Sequence, residues 1–313
     1  MSNKAVRYRV TNWNEYNKAL IQRGDLTLWL TDEVIDSWQT APHSGRPGRP
    51  RTYSDLAVQC MLVLRLFYRL PLRAAQGLMA SLLLLLDCPL RVPDYTTLCR
   101  RQRSLGVKVQ ADRADEPRHI LIDSTGLKVF GEGEWKVRQH GKEKRRTWRK
   151  LHLAVDAQTQ EIVAAALTTN SLHDCQVLPR LFLEVEGDIT RVTTDGAYDT
   201  WECRYEISTR RADAVIPPRS NARVTECDGI PEAAQRDQAV KEIRDEGLKH
   251  WKESTGYHRR SLVETAMFRV KSTFGDKMKA REIQNQIAEA ILKSNVLNKF
   301  IHLGMPETEK ELL

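Results

Sequence analysis

The sequence predicts two parts: an α-helical domain over residues 1–112, then an α/β domain over 113–304 in which a mixed sheet carries helices on its flanks, with 305–313 as a tail. Three observations lead there. Between residues 54 and 103, apolar side chains recur at helical spacing, interrupted twice by proline-containing segments. From Arg118 onward the pattern changes to short apolar runs of strand type that later alternate with helical stretches. The charge is uneven as well. Residues 1–112 hold 16 Lys and Arg against 9 Asp and Glu, a net +7 in a chain whose total is +8.

In the first domain, Trp13, Tyr16, Leu20, Leu26, Leu28, Trp29, Leu30, Val34 and Trp38 alternate with polar positions, the pattern of one or two short packed elements. The segment His43-Ser44-Gly45-Arg46-Pro47-Gly48-Arg49-Pro50-Arg51 follows, too rich in Pro and Gly for a regular helix or a central strand. It reads as a solvated linker or as an extended arm whose Arg46, Arg49 and Arg51 enter a narrow minor groove. Ser54 then caps a helix over 54–68, and Pro71 opens a second over 71–86. After breaks at Asp87-Cys88-Pro89 and Val92-Pro93-Asp94, a third begins near Tyr95 and carries Arg100, Arg101 and Arg103. Two apolar helices followed by a short polar one with three arginines is a helix-turn-helix pattern, whose arginines reach phosphates and base edges. A small bundle with one basic surface helix fits the same spacing; DNA binding is the preferred reading.

In the second domain, His119-Ile120-Leu121-Ile122-Asp123 is a short buried-type strand run. Residues 148–155 and 161–167 read as strands joined by a turn at Asp156-Ala157-Gln158-Thr159. Residues 175–185 fit a helix, 191–194 a strand ending at Asp195, 200–211 a helix and 214–216 a strand before Pro217-Pro218. Residues 219–255 form a short polar insertion, irregular and then helical. Two helices, over 259–274 and 284–300, close the domain.

Composition narrows the class of protein. Hydrophobic residues make up 41% and charged residues 29%, which excludes a low-complexity or disordered chain. The six cysteines form no CxxC pair, which argues against a zinc site or disulfide framework and for a reducing compartment. The opening MSNKAVRYRV has no apolar signal-type run, and the longest apolar stretch, 77–86, is about half the ~20 residues of a membrane span and reads as a buried core helix. The expectation is a soluble cytoplasmic protein with a polyanionic partner and no membrane.

Three acids carry the chemistry. Taken singly, Asp123 before Ser124-Thr125-Gly126 and Asp195 before Gly196-Ala197-Tyr198 read as turn formers. Together they stand at the ends of two central strands, and neighbouring strands ~4.8 Å apart let their side chains share a divalent cation. Glu264 supplies the third. At about 100° per residue, Tyr257, Arg260, Glu264 and Lys271 fall at about 0°, −60°, −20° and −40°, one narrow stripe, with Leu262, Val263, Ala266 and Val270 opposite. A solvated face would also group polar residues. A carboxylate flanked by two cations and a phenol, however, suits a phosphate backbone held beside a metal. Hard oxygen donors without a Cys or His cluster select Mg²⁺ or Mn²⁺, and three carboxylates accommodate two such ions. Ser124 lacks the GxSxG setting of a nucleophile.

The segments Ile122-Asp123-Ser124-Thr125-Gly126-Leu127-Lys128, Thr194-Asp195-Gly196-Ala197-Tyr198-Asp199 and Tyr257-x2-Arg260-x3-Glu264-x6-Lys271 resemble, in that order, the DDE transposases of bacterial insertion sequences. The last spacing is the Tyr-Arg-Glu-Lys signature of one large branch. The likeness extends to Asn12-Trp13, to Arg23-Gly24-Asp25-Leu26-Thr27 and to residues 129–141. It implies an RNase H-like catalytic domain behind a DNA-binding domain, with the acidic triad at Asp123, Asp195 and Glu264. It also implies a divalent metal, double-stranded DNA (terminal inverted repeats and target) as substrate, and a homodimer or larger assembly on DNA. Such enzymes cut at the element's ends and join the freed 3′ ends to target without a covalent protein–DNA intermediate. Only 68 residues separate Asp195 from Glu264, so no elaborate hairpin-handling insertion is expected.

Secondary positions follow from charge. Residues 128–150 hold nine Lys and Arg against three Glu and leave the strand that bears Asp123. They read as a solvated hairpin or, preferably, as a DNA contact through Lys136, Arg138 and His140. His152 and His173 are isolated and read as ordinary hydrogen-bonded histidines, Asp156 as a turn former and Asp199 as a helix cap. Two other functions compete. An RNase H-like nuclease would hydrolyse without joining, which the end-recognising N-terminal module disfavours; an inert DNA-binding regulator would gain nothing from three converging carboxylates.

Overall fold

The computed structural model describes residues 6–40, 51–113, 116–129, 148–226 and 229–312. Arg46, Arg49, Lys136, Arg138 and His140 lie outside the described residues. The chain forms two compact units, one of residues 1–105 with 296–313 and one of residues 106–295.

In the first unit, Val6–Val10 (β1) pairs antiparallel with the chain's last strand, Thr308–Leu312. The Asn12 side chain secures the pairing, donating to the Met305 carbonyl and accepting from the Glu307 N–H, each at 2.9 Å. Five helices follow in order: Trp13–Gln22 (α1), Asp32–Asp36 (α2), Asp55–Phe67 (α3), Leu72–Leu85 (α4) and Tyr95–Gln102 (α5). Ser54 caps α3 through the Ala57 N–H at 3.0 Å, as its sequence predicts. α3 is apolar all round and mostly buried, the central helix of the unit. Trp29, Phe67 and Phe300 form a cluster of tilted and edge-on rings about it, with centroids 5.9–6.2 Å apart. The run 77–86 is not uniformly buried. Only Ala75, Met79 and Leu83, spaced four apart, face the core, and Leu84 and Leu85 are 81% and 82% exposed. α4 turns one stripe inward to α3 and α5, and Leu84 and Leu85 of its last turn, with Leu86 after them, face outward.

The second unit is built on Arg118–Val129 (β2), Trp148–Asp156 (β3), Ile162–Thr169 (β4), Ile189–Thr193 (β5) and Asp213–Val215 (β6), in the order β4-β3-β2-β5-β6. The first three are antiparallel, and β5 and β6 extend them in parallel, the mixed sheet expected of an RNase H-like domain. Lys277–Met278 (β7) pairs with the far end of β2. Helices Leu178–Glu184 (α6) and Trp201–Thr209 (α7) cover one face. There Ile120, Ile122, Ala164 and Ala166 pack with Leu178, Phe182, Tyr198 and Ile207. Pro231–Ser254 (α8), which kinks at Gly247, lies within the polar insertion. Ser261–Phe274 (α9) packs on β2 and β3 through Val263, Ala266, Met267 and Val270. The final helix, Ile283–Leu303 (α10), gives its residues up to Asn295 to this unit. With both faces of β2 covered, its first half reads as a continuous apolar run. No helix among the described residues is long and apolar enough to cross a membrane.

Candidate active site

Strand register sets the first two acids level. Leu121 of β2 lies opposite Thr193 of the parallel β5, so Asp123 and Asp195 each follow two residues beyond the last paired position of their strands. Asp123 does not end its strand, as the sequence suggests; β2 runs on to Val129. The reason is pairing on one side only. Against β3 the ladder continues to Lys128 and Trp148, whereas against β5 it stops at Leu121, because Asp195 leaves β5 for the 3-10 turn Gly196–Tyr198. Asp123 is therefore mid-strand in one ladder and at the lip of the other. Asp195 caps its turn, accepting from the Ala197 N–H at 2.9 Å. Gly196 allows this, since a Cβ there would come within 3.3 Å of the Pro217 carbonyl oxygen.

Glu264 reaches the same place from α9. The helix begins only at Ser261; Tyr257–Arg260 is a 3-10 turn, set off by Gly256 at φ 67° where α8 has ended. Tyr257 and Arg260 thus lie in this turn and not in one continuous helix with Glu264, yet Arg260 faces the acids. Its Nη1 donates to Asp123 Oδ2 at 2.6 Å and its Nη2 donates to Glu264 Oε1. One guanidinium joins two of the three carboxylates. Lys271 Nζ donates to Thr125 Oγ1 at 2.6 Å, on the face of β2 that also carries Asp123. The Tyr257 ring lies 5.8 Å from the Arg260 guanidinium and 5.6 Å from the Trp251 ring.

The electrostatics show the acids converging. Burial pushes the Asp123 carboxyl above its ordinary range and the Asp195 charge adds to this, against hydrogen bonds from Ser124 N–H and Arg260. Burial also raises the Tyr257 phenol. Arg260 opposes that shift, while Asp195, Asp123 and Glu264 all add to it. Burial works against the Arg260 charge, but Tyr257 and the same three acids outweigh it and raise its pKa. The donor set is carboxylate oxygen with a cation already bridging Asp123 and Glu264, which fits a hard divalent ion.

Other expected positions fall differently. Arg101 of α5 turns inward, donating to the Tyr53 carbonyl at 2.9 Å and pairing with Asp55, while Arg51, Arg100 and Arg103 are exposed. His152 is fully buried, bonded to Thr168 at 2.9 Å and pushed down to about 4 by burial. Asp156 makes its turn through the Gln158 N–H and is a buried partner of Arg118 as well, at 2.7 Å each. Asp199 is not the helix cap; Thr200 caps α7. Asp199 is buried against Arg204 at 2.9 Å and Arg236 of α8 at 3.2 Å, which fastens the insertion helix beside the sheet. Asp174 is a site neighbour that the sequence does not single out. It opens the 3-10 turn Asp174–Val177 that follows β4, and it accepts from Ser124 Oγ at 2.8 Å and Lys150 Nζ at 2.9 Å.

Among solved structures, one similar to the chain is a cryo-EM structure of a piggyBac transposase synaptic complex with hairpin DNA, at 14% identity and a TM-score of 0.38 over 95% of this chain and 78% of that one. Two family profiles, each described as a transposase DDE domain, match residues 21–132 and 114–299. The second alone spans more than half of the sequence and all three acids, and the chain belongs to the DDE transposases, metal-dependent enzymes that cleave and transfer DNA.

Proposed function

We propose that Asp123, Asp195 and Glu264 hold the divalent metal of transposition, two Mg²⁺ or Mn²⁺ ions, at the terminal inverted repeats of an insertion sequence in the Tyr-Arg-Glu-Lys branch. The observation that carries this reading is Arg260, whose guanidinium joins Asp123 to Glu264 in the free protein. Three carboxylates brought this close repel one another unless a cation lies among them. The bound metal supplies activation of the attacking water or 3′-hydroxyl and stabilisation of the leaving oxygen. With metal on the acids, the Arg260 fork would be available to the oxygens of the DNA phosphate. Lys271 is anchored on Thr125, from which it meets the neighbouring phosphate, and Tyr257 keeps Arg260 in place through its ring face.

Residues 1–112 form the end-binding domain in this reading. The helices α3, α4 and α5 act as a helix-turn-helix module, with Arg100 and Arg103 toward DNA and Arg101 holding α5 to Asp55. The arm, with Arg46, Arg49 and Arg51, lies along the minor groove, and Lys136, Arg138 and His140 contact the backbone near the cleavage point. The domain over 113–304 carries the chemistry, with 219–255 as its insertion, and a dimer or larger assembly synapses two ends. The test is incubation with labelled element ends, a target plasmid and Mg²⁺. The reading expects both nicked ends and joined products; ends that are hydrolysed and never joined would make the protein a nuclease instead.

A further inference from the structure

A second set of polar contacts stands behind the first acid. Successive residues of a strand face opposite ways, so Asp123 and Thr125 look toward α9 while Ser124 looks toward the opposite layer. On that side Asp174, in the 3-10 turn Asp174–Val177, uses both carboxylate oxygens. Oδ2 accepts from Ser124 Oγ at 2.8 Å, and Oδ1 accepts from Lys150 Nζ at 2.9 Å. Lys150 donates to the Leu172 carbonyl as well, at 2.9 Å, which ties the turn to β3. The Ser124 backbone N–H, in turn, donates to Asp123 Oδ1 at 2.7 Å. The two sets of contacts meet at Ser124, whose hydroxyl bonds Asp174 on one face of the sheet and whose backbone N–H bonds Asp123 of the triad. Oδ1 of Asp123 is held by Ser124, and the partner of Oδ2 is Arg260, the group the proposed function sends to phosphate.

We propose that Asp174 is a positioning residue: through Ser124 it fixes the Asp123 carboxylate so that Oδ2 is the oxygen presented to the divalent cation. This rests on the reading of Asp123 as a metal ligand. Asp174 itself faces the other layer, away from the metal and the DNA of the proposed function. Its pairing with Lys150 keeps it ionised, the state that accepts two hydrogen bonds. A neutral amide at this position would keep one acceptor oxygen for two donors and set an NH2 group against Ser124 or Lys150.

The test measures Mn²⁺ binding by the free protein, from the electron paramagnetic resonance signal of unbound ion, alongside Mn²⁺ titrations of end cleavage. Asp174→Asn and Ser124→Ala are expected to raise the half-saturating Mn²⁺ about 5-fold in both measurements, the scale of one ordinary net hydrogen bond. Ser124→Thr, which keeps a hydroxyl, is expected to restore it. Metal-free binding of the end DNA should not move in any of them. Wild-type Mn²⁺ affinity in both Asp174→Asn and Ser124→Ala overturns the inference, and so does loss of affinity in Ser124→Thr equal to that in Ser124→Ala. If Asp174→Asn fails to fold, Ser124→Ala decides alone. Asp123→Asn separates the two claims. Unchanged Mn²⁺ binding in that variant sinks the metal site itself, whereas its loss beside normal Asp174→Asn and Ser124→Ala sinks only the positioning role.

Discussion

Arg260 occupies a position that the amino-acid pattern places well and explains only in part. Its spacing to Glu264 puts the two on adjacent turns, and they meet; its reach across to Asp123 depends on β2 lying beneath α9, which no local spacing reveals. Replacing it with Ala removes both the cation that balances the acids and the phosphate fork. Single-turnover end cleavage is expected to fall about 10²- to 10³-fold, the usual loss for one preorganised electrostatic group. Arg260→Lys should recover only part, since an ammonium cannot bridge two carboxylates as a fork does. Full activity in Arg260→Ala would remove this residue from the mechanism. Asp174 illustrates the opposite case. Its neighbours in sequence say nothing of Ser124, fifty positions earlier, and only the pairing of β2 with β3 and of β3 with β4 brings them together.

Among the elements, the strands and helices of the second unit follow their apolar runs closely, because each faces a single dominant environment. β2 departs from that rule. Its second half, Ser124–Val129, is mixed in residue type and mostly half-buried, and it is strand because β3 supplies a ladder along one side and the short β7 pairs with its end on the other. Residue type in that half could not announce a strand whose hydrogen-bond partner is remote in sequence. The same sheet makes a pH prediction. Buried His152 has a pKa near 4 when folded, against 6.5 as the ordinary value, so between those values the unfolded chain binds more protons than the folded one. Its contribution is complete above pH 6.5 and is lost as pH falls toward 4, an effect of about 3 kcal/mol at most. Denaturant unfolding at pH 7 and pH 4 should show His152→Gln losing less stability over that interval than wild type. Equal losses would mean that His152 titrates normally in the folded protein.

For the whole molecule, the charge excess takes on a location. In the proposed function the net +7 of residues 1–112 serves an end-binding domain, and the 41 acids include three that a cation would accompany as DNA approaches. Substituting Arg46, Arg49 and Arg51 with Ala should weaken end binding and reduce its salt dependence by about 0.9 in log–log slope for each phosphate no longer neutralised. An unchanged slope would make the arm a linker. The apolar period switches near residue 118, whereas the first compact unit ends at residue 105 and also takes in residues 296–313. The pairing of Val6–Val10 with Thr308–Leu312 is not readable, since two short polar strands at opposite ends of a chain carry no local sign of each other. Above all, three acids from two strands and one helix are proposed to make a single metal-dependent centre. Wild type is to be compared with Asp123→Asn, Asp195→Asn and Glu264→Gln in Mg²⁺-dependent cleavage and joining of labelled ends, with end binding measured in parallel. All three variants are expected to bind ends like wild type and neither cleave nor join; wild-type cleavage in any one of them would contradict the single centre.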